Sequence, residues 1–465
     1  MNKLSAPLLA VLLSAAPALA LEWHPMGARA VGMGGTGVAT AQGPLAAYWN
    51  PAALGRKTEN AYGLQIPIGV HAAVTGSVIE GAKNLQDLKE RTTIPTQGEV
   101  DAALAKLNEP GNGLRLGVDA GLDLKVGKVG VFTNTFVDMA GVPTIDAVNT
   151  TPANIQAGTN NSKLTLKGAQ VMEFGVGYGQ ELPFAQGVFL GGNLKLMSAQ
   201  VGYYDYFVLR NTNDDSNMLS KFKDGAKKSA NFGVDLGVLW DVNKTFDGTP
   251  LHPRVGLVGR NLNNPKFTQP ATAVAAGAVS KYAVNPQVRI GASISPFNWW
   301  NIATDLDLTR NLTPVDNVAS RQFGVGNEFN VFNRSWINIP LRVGLLRNLA
   351  ETGSGTMLTA GLGLNFLHVI VDASAAVSPK KVTTQSEGKE TKIPKEAYVA
   401  VQLSILFGGS SDKPSTTAEP EAAPAPAQPA VKADDQPMSS QKVLEVREAA
   451  EKAQKDLDAE SKKTP

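Results

Sequence analysis

The stretch LRLGVDAGLDLKV, residues 114–126, alternates between apolar residues and residues that are either charged or glycine. Successive side chains of a β-strand point to opposite faces, so this stretch predicts a strand with one apolar face and one charged face. Strands of soluble sandwiches usually have about 5 to 6 residues, whereas a strand that crosses a bilayer at a tilt needs about 9 to 11. Length and pattern together favour a membrane-spanning strand.

The same alternation recurs along residues 62–407, which contain about fourteen such stretches. The predicted strands are 62–80, 114–125, 128–140, 168–180, 188–203, 230–242, 253–263, 286–296, 299–309, 321–332, 336–348, 355–366, 368–378 and 396–407. Their connections are alternately long and short, as in bacterial outer-membrane barrels, whose periplasmic turns are short and whose extracellular loops are long. The sequence therefore predicts an all-β fold, an antiparallel transmembrane β-barrel of about fourteen strands in residues 62–408, with both chain termini in the periplasm.

Aromatic residues cluster near the ends of several predicted strands. The predicted periplasmic rim holds Trp299, Trp300, Phe332 and Trp336, and the predicted outer rim holds Tyr203, Tyr204, Tyr206 and Phe207. Membrane barrels carry aromatic girdles at both interfaces with water, so we expect these residues to lie at the two rims.

Composition and the N-terminus narrow the class of protein. The 465 residues carry a net charge of +2 and no cysteine, which argues against nucleic acid as a partner and excludes disulfides and thiolate metal sites. No window of about 20 residues is apolar throughout, which excludes a helical membrane protein. A basic start, an apolar core at 8–16 and the A-x-A sequence at 18–20 predict a signal peptide in residues 1–20. We expect an exported protein of a Gram-negative outer membrane.

The segment 21–61, between the predicted signal peptide and the barrel, is rich in glycine. Gly32, Gly34 and Gly37 satisfy the G-x-G-x-x-G pattern of dinucleotide sites. The pattern lacks its context, because no strand precedes it and no βαβ unit surrounds it. Small residues would instead let the backbone fold tightly inside a barrel lumen, where larger side chains would collide with the wall.

Two motifs in this segment carry a family resemblance. The first is GARAVGMGG at 27–35 and the second is WNPAAL at 49–54. Together they resemble the start of the FadL/OmpP1-like superfamily of outer-membrane proteins, including its branch of TraF-type conjugal-transfer proteins. The resemblance implies a hatch or plug domain in residues 21–61 that fills a fourteen-stranded barrel. The implied plug motif consists of Arg29, Gly32, Gly34, Gly35, Trp49, Asn50 and Pro51.

The C-terminus departs from FadL chains, which end at the last strand. Residues 409–437 are rich in proline and alanine and predict an extended periplasmic linker. Residues 438–465 carry apolar residues at helical spacing among many charges, which predicts a short charged helix or tail. Residues 438–462 are a candidate docking helix for a periplasmic or envelope protein partner, and a solvated tail is the alternative.

Signals of catalysis are sparse. The four histidines do not form a metal-binding pair, and no G-x-S-x-G sequence occurs. Asp138, Asp305 and Asp307 could form an acidic cluster, but carboxylates that face a barrel lumen are usually hydrated or paired with cations such as Arg115, Lys125 or Arg289. We therefore predict no enzymatic activity, no catalytic or metal-binding residues and no cofactor.

One predicted long loop contains a helix signal. Residues 96–99 form a capping box ahead of apolar residues at helical spacing. In a FadL-like uptake protein, Val100, Leu104 and Leu107 of this helix would be where a hydrophobic small molecule first binds. The alternative is a loop helix that packs onto its neighbours.

Two functions remain open at this point. FadL members carry hydrophobic compounds inward, so one hypothesis is a transporter for small hydrophobic compounds such as fatty acids or aromatics. The other is a TraF-type conjugal-transfer or envelope-assembly component, in which the tail engages other proteins. The extra C-terminal residues favour the second hypothesis.

Overall fold

Fourteen antiparallel strands close into a barrel in the computed structural model, which describes residues 21–407 except 57–60, 91, 92, 94, 209–216, 335, 352, 354, 387 and 388. The strands are β1 (Tyr62–Thr75), β2 (Gly113–Val126), β3 (Val129–Thr144), β4 (Lys163–Leu182), β5 (Ala185–Phe207), β6 (Lys227–Asp241), β7 (Arg254–Arg260), β8 (Gln287–Phe297), β9 (Trp300–Asp307), β10 (Gln322–Asn333), β11 (Ile337–Asn348), β12 (Thr356–Phe366), β13 (Val369–Val377) and β14 (Glu396–Phe407). Each strand pairs with the next, and β1 pairs with β14 from Tyr62 opposite Phe407. The predicted fold class is confirmed.

Side chains on each strand alternate between an apolar outer face and a polar inner face. On β2, Leu116 and Leu122 are 47% and 42% exposed, whereas Asp119 and Asp123 are completely buried. The exposed face is the apolar one, which is the reverse of a soluble protein and the arrangement that a bilayer requires. The alternation predicted from residues 114–126 is therefore confirmed.

The connections divide the barrel into two ends. At the short-turn end, where β1 begins and β14 finishes, most links have two to four residues, such as 127–128 and 298–299. At the long-loop end the links include 76–112, 145–162 and 261–286. Several predicted boundaries differ by up to five residues. β1 ends at Thr75 rather than at residue 80, because Gly76 turns the chain with a positive φ of 61°, and β4 begins at Lys163 rather than at residue 168.

Helices and small hairpins occupy the segment before β1 and the loops. The α-helices are Ala28–Gly32, Ala46–Trp49, Val78–Glu90, Gln97–Leu107, Pro152–Ala157, Met218–Asp224, Val242–Thr245 and Ala271–Ala275, with a 3-10 helix at Pro51–Gly55. The small hairpins pair Lys266–Thr268 with Lys281–Ala283, Asn311–Leu312 with Ala319–Ser320, and Lys381–Ser386 with Lys389–Pro394. Within the described part of the chain, no helix has the length and apolar character needed to span a bilayer.

The predicted signal peptide, linker and C-terminal tail, residues 1–20, 409–437 and 438–465, lie outside the described residues. Residues 21–56, here called the N-terminal segment, are nearly all buried. Their side chains form the main apolar cluster together with inner-face residues of the barrel such as Phe136, Phe189 and Leu239.

Candidate functional site

The glycine-rich part of the N-terminal segment lies directly on the backbone of the barrel wall. Gly34 has a φ of +68°, and a Cβ atom there would lie 2.5 Å from the carbonyl oxygen of Val325 and closer still to that of Leu345. The Gly34 N–H donates to the Thr359 hydroxyl at 3.1 Å, and that hydroxyl donates to the Gly32 carbonyl at 2.9 Å. The barrel wall thus fills the space beside these glycine residues. This agrees with the prediction that they do not form a dinucleotide site.

A chain of four charged side chains ties the same segment to three strands. Arg29 donates from Nε and Nη2 to the two carboxylate oxygens of Glu328, both at 2.8 Å. Arg342 donates to Glu328 at 2.7 Å and to Asp372 at 2.6 Å. A two-point contact such as that between Arg29 and Glu328 is strong and fixes geometry. Glu328, Arg342 and Asp372 were not among the predicted site residues.

The second motif folds the segment upon itself and also reaches the wall. The Asn50 side-chain amide donates to the carbonyls of Val38 and Val238 at 3.2 and 3.0 Å, and its oxygen accepts from Ala52 N–H at 3.1 Å. That last bond caps the 3-10 helix, in which Pro51 is the first residue. The Trp49 indole N–H donates to the Met26 carbonyl at 3.0 Å. These contacts explain why Trp, Asn and Pro stand together in the sequence.

Asp305 forms a further link between the wall and the segment. One of its oxygens accepts from the N–H groups of Gly37 and Val38, at 2.8 and 3.0 Å. Asp307 instead binds Arg289 at 2.6 Å, and Asp138 binds Arg115 at 2.7 Å. The three aspartates considered as a catalytic cluster therefore have separate partners, two of them the arginines named in the sequence analysis.

Two titratable groups at the start of the segment contact the same part of the wall. Burial would raise the pKa of Glu22, but the charges of Arg115 and His71 and a hydrogen bond from Ser320 outweigh it and hold this pKa well below its ordinary value. Burial lowers the pKa of His24, although Asp138 and Asp119 oppose the shift. We expect Glu22 to be ionised and His24 neutral at neutral pH. The described residues include no group of three or more His, Asp or Glu side chains arranged to hold a metal ion.

The capping box in the first long loop is present as predicted. Thr96 and Glu99 bond reciprocally at the start of the helix Gln97–Leu107. Val100, Leu104 and Leu107 are 2%, 2% and 7% exposed, and the first two pack in a cluster with Leu88 of the preceding helix. The structure thus places these three side chains in a small loop core. Their part in ligand binding stays a prediction.

Cavities that described residues line on the inner side of the barrel include one near its long-loop end and one beside the N-terminal segment. One of about 500 Å³ opens near the long-loop end between β3, β4, β5 and the loop 269–282. Its lining includes Val201, Tyr203, Tyr282 and Lys167. Tyr203 therefore belongs to this cavity and not to an outer aromatic girdle. A second cavity of about 30 Å³, room for about one water, lies between the N-terminal segment and β1, β8 and β14.

The predicted aromatic residues of the other rim do gather at the short-turn end. Phe297, Trp299, Trp300 and Phe329 form a stacked group with ring centroids 5.4 to 6.3 Å apart. Trp336 contacts Phe366 edge to face at 6.1 Å. Half of the Trp299 side chain is exposed on the outer surface. This placement fits an interfacial girdle.

Comparison with known proteins gives one family and several distant structures. A family model described as "F plasmid transfer operon, TraF, protein" matches residues 47–307. No curated protein sequence matches the chain. Among solved structures, the toluene transporter TodX of P. putida is 13% identical with a TM-score of 0.46, covering 83% of this chain and 99% of its own. The Ralstonia pickettii toluene transporter TbuX is 14% identical with a TM-score of 0.42, covering 82% of this chain and 98% of its own. A Pseudomonas aeruginosa FadL homologue is 10% identical with a TM-score of 0.45, covering 84% of this chain and 100% of its own.

Proposed function

Because this chain belongs to the family described as F plasmid transfer operon TraF protein, we propose that it is a closed outer-membrane barrel serving conjugal transfer or another envelope assembly. The family is one of transfer proteins, not of enzymes, in line with the predicted lack of catalysis. In this proposal residues 21–61 are a plug, the plug motif fastens it to the wall, and the barrel acts as a fixed platform in outer-membrane lipid.

The chain of ion pairs from Arg29 through Glu328 and Arg342 to Asp372 carries this proposal. These side chains are mostly buried, and removing one partner of a buried pair costs about 3 to 5 kcal/mol because the other charge is left uncompensated. A plug held in this way does not open at thermal energies without a partner or ligand that supplies that free energy. This favours a barrel that stays closed over a freely conducting channel.

The platform needs a part that engages other proteins. We propose that residues 438–462 dock on a periplasmic or envelope partner, connected to β14 by the linker 409–437. The short-turn end would then face the periplasm, since the chain leaves the barrel there after Phe407. A proline-rich linker that is extended, as the composition of residues 409–437 predicts, would span about 3 Å per residue and would give the docking segment a long reach.

Conductance and co-purification test the proposal together. In planar bilayers, the wild-type chain should show no steady conductance, whereas Arg29→Met should conduct intermittently because Glu328 loses a partner. Lys128→Gln is the control, since Lys128 is exposed in the turn between β2 and β3. Deletion of residues 409–465 should leave the barrel folded and closed but abolish co-purification of envelope proteins. Steady wild-type conductance, or unchanged partners after the deletion, would refute the assembly role.

A second candidate function is uptake of a small hydrophobic compound. The cavity of about 500 Å³ near the long-loop end favours it, because ligand pockets are usually of about 300 to 1,000 Å³. Under this alternative, deletion of residues 409–465 leaves uptake of a radiolabelled aromatic compound unchanged, and Gly202→Trp, at the cavity wall, abolishes it. Loss of uptake together with retained partners in Gly202→Trp would favour transport.

A further inference from the structure

Charged side chains inside the barrel mostly occur in clusters where each cation has at least one carboxylate. Lys195 and Arg260 contact Glu173 and Asp235 in one such cluster, with distances of 3.0 to 3.2 Å. The other balanced clusters are Arg115 with Glu22 and Asp138, Arg289 with Asp307, and Arg29 and Arg342 with Glu328 and Asp372. Buried charges are costly unless they are paired, so this balance is expected.

One cluster at the short-turn end departs from the balance. Arg56 and Arg254 lie 3.9 and 3.5 Å from the same oxygen of Asp241, too far for strong hydrogen bonds. Among the described residues, neither arginine side chain donates a hydrogen bond, and the Arg254 Nε is buried without a partner. Burial, with the charge of Arg254, lowers the pKa of Arg56 from its ordinary value. The Asp241 carboxylate thus compensates only part of the positive charge around it.

Lys125 adds positive charge near Arg56. Its side chain is 2% exposed, is repelled by the charge of Arg56 and has no carboxylate within 4 Å in the described part of the chain. All four residues lie near the short-turn end: Asp241 is the last residue of β6 and Arg254 the first of β7. The Arg56 and Arg254 side chains keep 13% and 23% of their surface exposed, so a small group can reach them from that rim.

We propose that Arg56 and Arg254 form a binding site for an oxyanion, a carboxylate or phosphate group, with the positive charge of Lys125 adding to the field around it. Guanidinium groups are the donors that recognise such groups best, because their N–H groups can bind two oxyanion oxygens at once. An oxyanion there would use the free Arg254 Nε–H and would bring the cluster to the charge balance of its neighbours. It would also link the N-terminal segment, through Arg56, to β7.

The oxyanion can come from solution or from the chain itself. Residues 409–437 carry five acidic and two basic residues and follow the strand that ends at this rim. Glu59, in the connection just after Arg56, is a nearer carboxylate in sequence. Inorganic phosphate distinguishes the two sources, because it can bind the wild type only if no carboxylate of the chain already occupies the site.

Calorimetric titration of the detergent-solubilised full chain with inorganic phosphate, at constant ionic strength set with chloride, tests the site. The wild type should bind phosphate saturably. Arg254→Gln should raise the dissociation constant roughly tenfold or more, because a charged hydrogen-bond donor is lost, and Lys125→Met should raise it less, because only nearby positive charge is lost. Lys128→Gln, at the same rim but exposed, should bind as the wild type does. Heat-modifiable mobility on gels verifies that each variant is folded.

A wild type that does not respond to phosphate leads to a second comparison. If a carboxylate of the chain occupies the site, phosphate binding should appear in Glu59→Gln or in the combined variant Asp412→Asn, Glu419→Gln, Glu421→Gln, Asp434→Asn, Asp435→Asn. Lack of binding in all of these chains overturns the proposal. Equal phosphate binding by wild type and Arg254→Gln overturns it as well.

Discussion

Leu122 and Asp123 are neighbours in the chain and face opposite media in the barrel. Leu122 is 42% exposed on the outer face, and Asp123 is fully buried on the inner face. We expect Leu122→Arg to lower the free energy of unfolding by about 2 to 4 kcal/mol, as a charge near the bilayer midplane does. Asp123→Asn should be close to neutral, because neither carboxylate oxygen has a hydrogen-bond partner in the described part of the chain. Urea unfolding in lipid vesicles measures both.

Equal losses of stability in these two variants would mean that the faces have been assigned wrongly. Leu124→Arg is an internal control, since Leu124 lies on the same outer face as Leu122 and is 41% exposed. It should behave as Leu122→Arg does, with a smaller loss because it lies nearer the end of β2.

Gly34 is the position where one added methyl group should do most damage to the N-terminal segment. Its φ of +68° disfavours any Cβ, and the backbone oxygens of Val325 and Leu345 occupy the space. We expect Gly34→Ala to cost about 2 kcal/mol or more and to expose the segment to limited proteolysis. Gly98→Ala is the matched control, since nothing lies within 4 Å of its added Cβ. It should be neutral or slightly stabilising in its helix. Equal protease sensitivity of the two variants would contradict this prediction.

At the scale of an element, the loop 145–162 depends on one ionised carboxylate. A hydrogen bond from the Asn149 side chain, followed by those from the N–H groups of Asn161 and Val148, lowers the pKa of Asp146 well below its ordinary value. A carboxyl group whose pKa is lower in the folded state stabilises the folded loop fully above its unfolded-state pKa of about 3.9. This stabilisation is lost as the pH falls through the folded-state pKa. We therefore expect the amide protection factors of this loop, which are corrected for the intrinsic exchange rate at each pH, to hold at pH 4 and to fall in stronger acid.

Asp146→Ala supplies the comparison for that pH dependence. The variant should show low protection factors in the loop at neutral pH, with little further change in them on acidification. A wild-type loop whose protection is the same in strong acid as at neutral pH would show that Asp146 does not hold it.

The elements differ in how far the sequence alone could predict them. The helix Gln97–Leu107 and its capping box depend on contacts within a few residues, so the pattern at 96–107 was sufficient. The strands follow from an alternation of period two that each stretch carries by itself. The bond from Arg29 to Glu328 spans 299 residues and depends on strand number, register and the path of the N-terminal segment. No local pattern contains that information, which is why Glu328, Arg342 and Thr359 were missed.

At the scale of the whole molecule, the two barrel ends predict which parts of the chain face the outside of the cell. A protease tag inserted near Asn213, in the long connection between β5 and β6, should be cleaved in intact cells. A tag after Ser411, just beyond β14, should be protected, because β14 ends at the short-turn end. Both insertion points lie outside the described residues, but the strands beside them have known ends. Cleavage after Ser411 in intact cells would refute periplasmic termini.

The apolar outer face predicts where the folded protein is found. We expect it to float with outer membranes on density gradients and to migrate faster on gels before heating than after, as closed barrels do. Recovery of the folded protein from the soluble periplasmic fraction would contradict the membrane assignment. Leu122→Arg provides a control that should reduce the fast-migrating form without changing export.

The pairing of Tyr62 with Phe407 sets the order in which the molecule can be built. That seam joins the first strand to the last, so it forms only after all of residues 62–407 have been delivered. Residues 21–56 are made first, yet their bonds reach Glu328, Thr359 and Ser374 on late strands. We therefore expect the sheet to curl around the N-terminal segment before it closes. Until it closes, the sheet has two edge strands with unpaired backbone groups. Because the closing contacts join residues that are far apart in sequence, we expect folding to be slow and to depend on a factor that shields those edges.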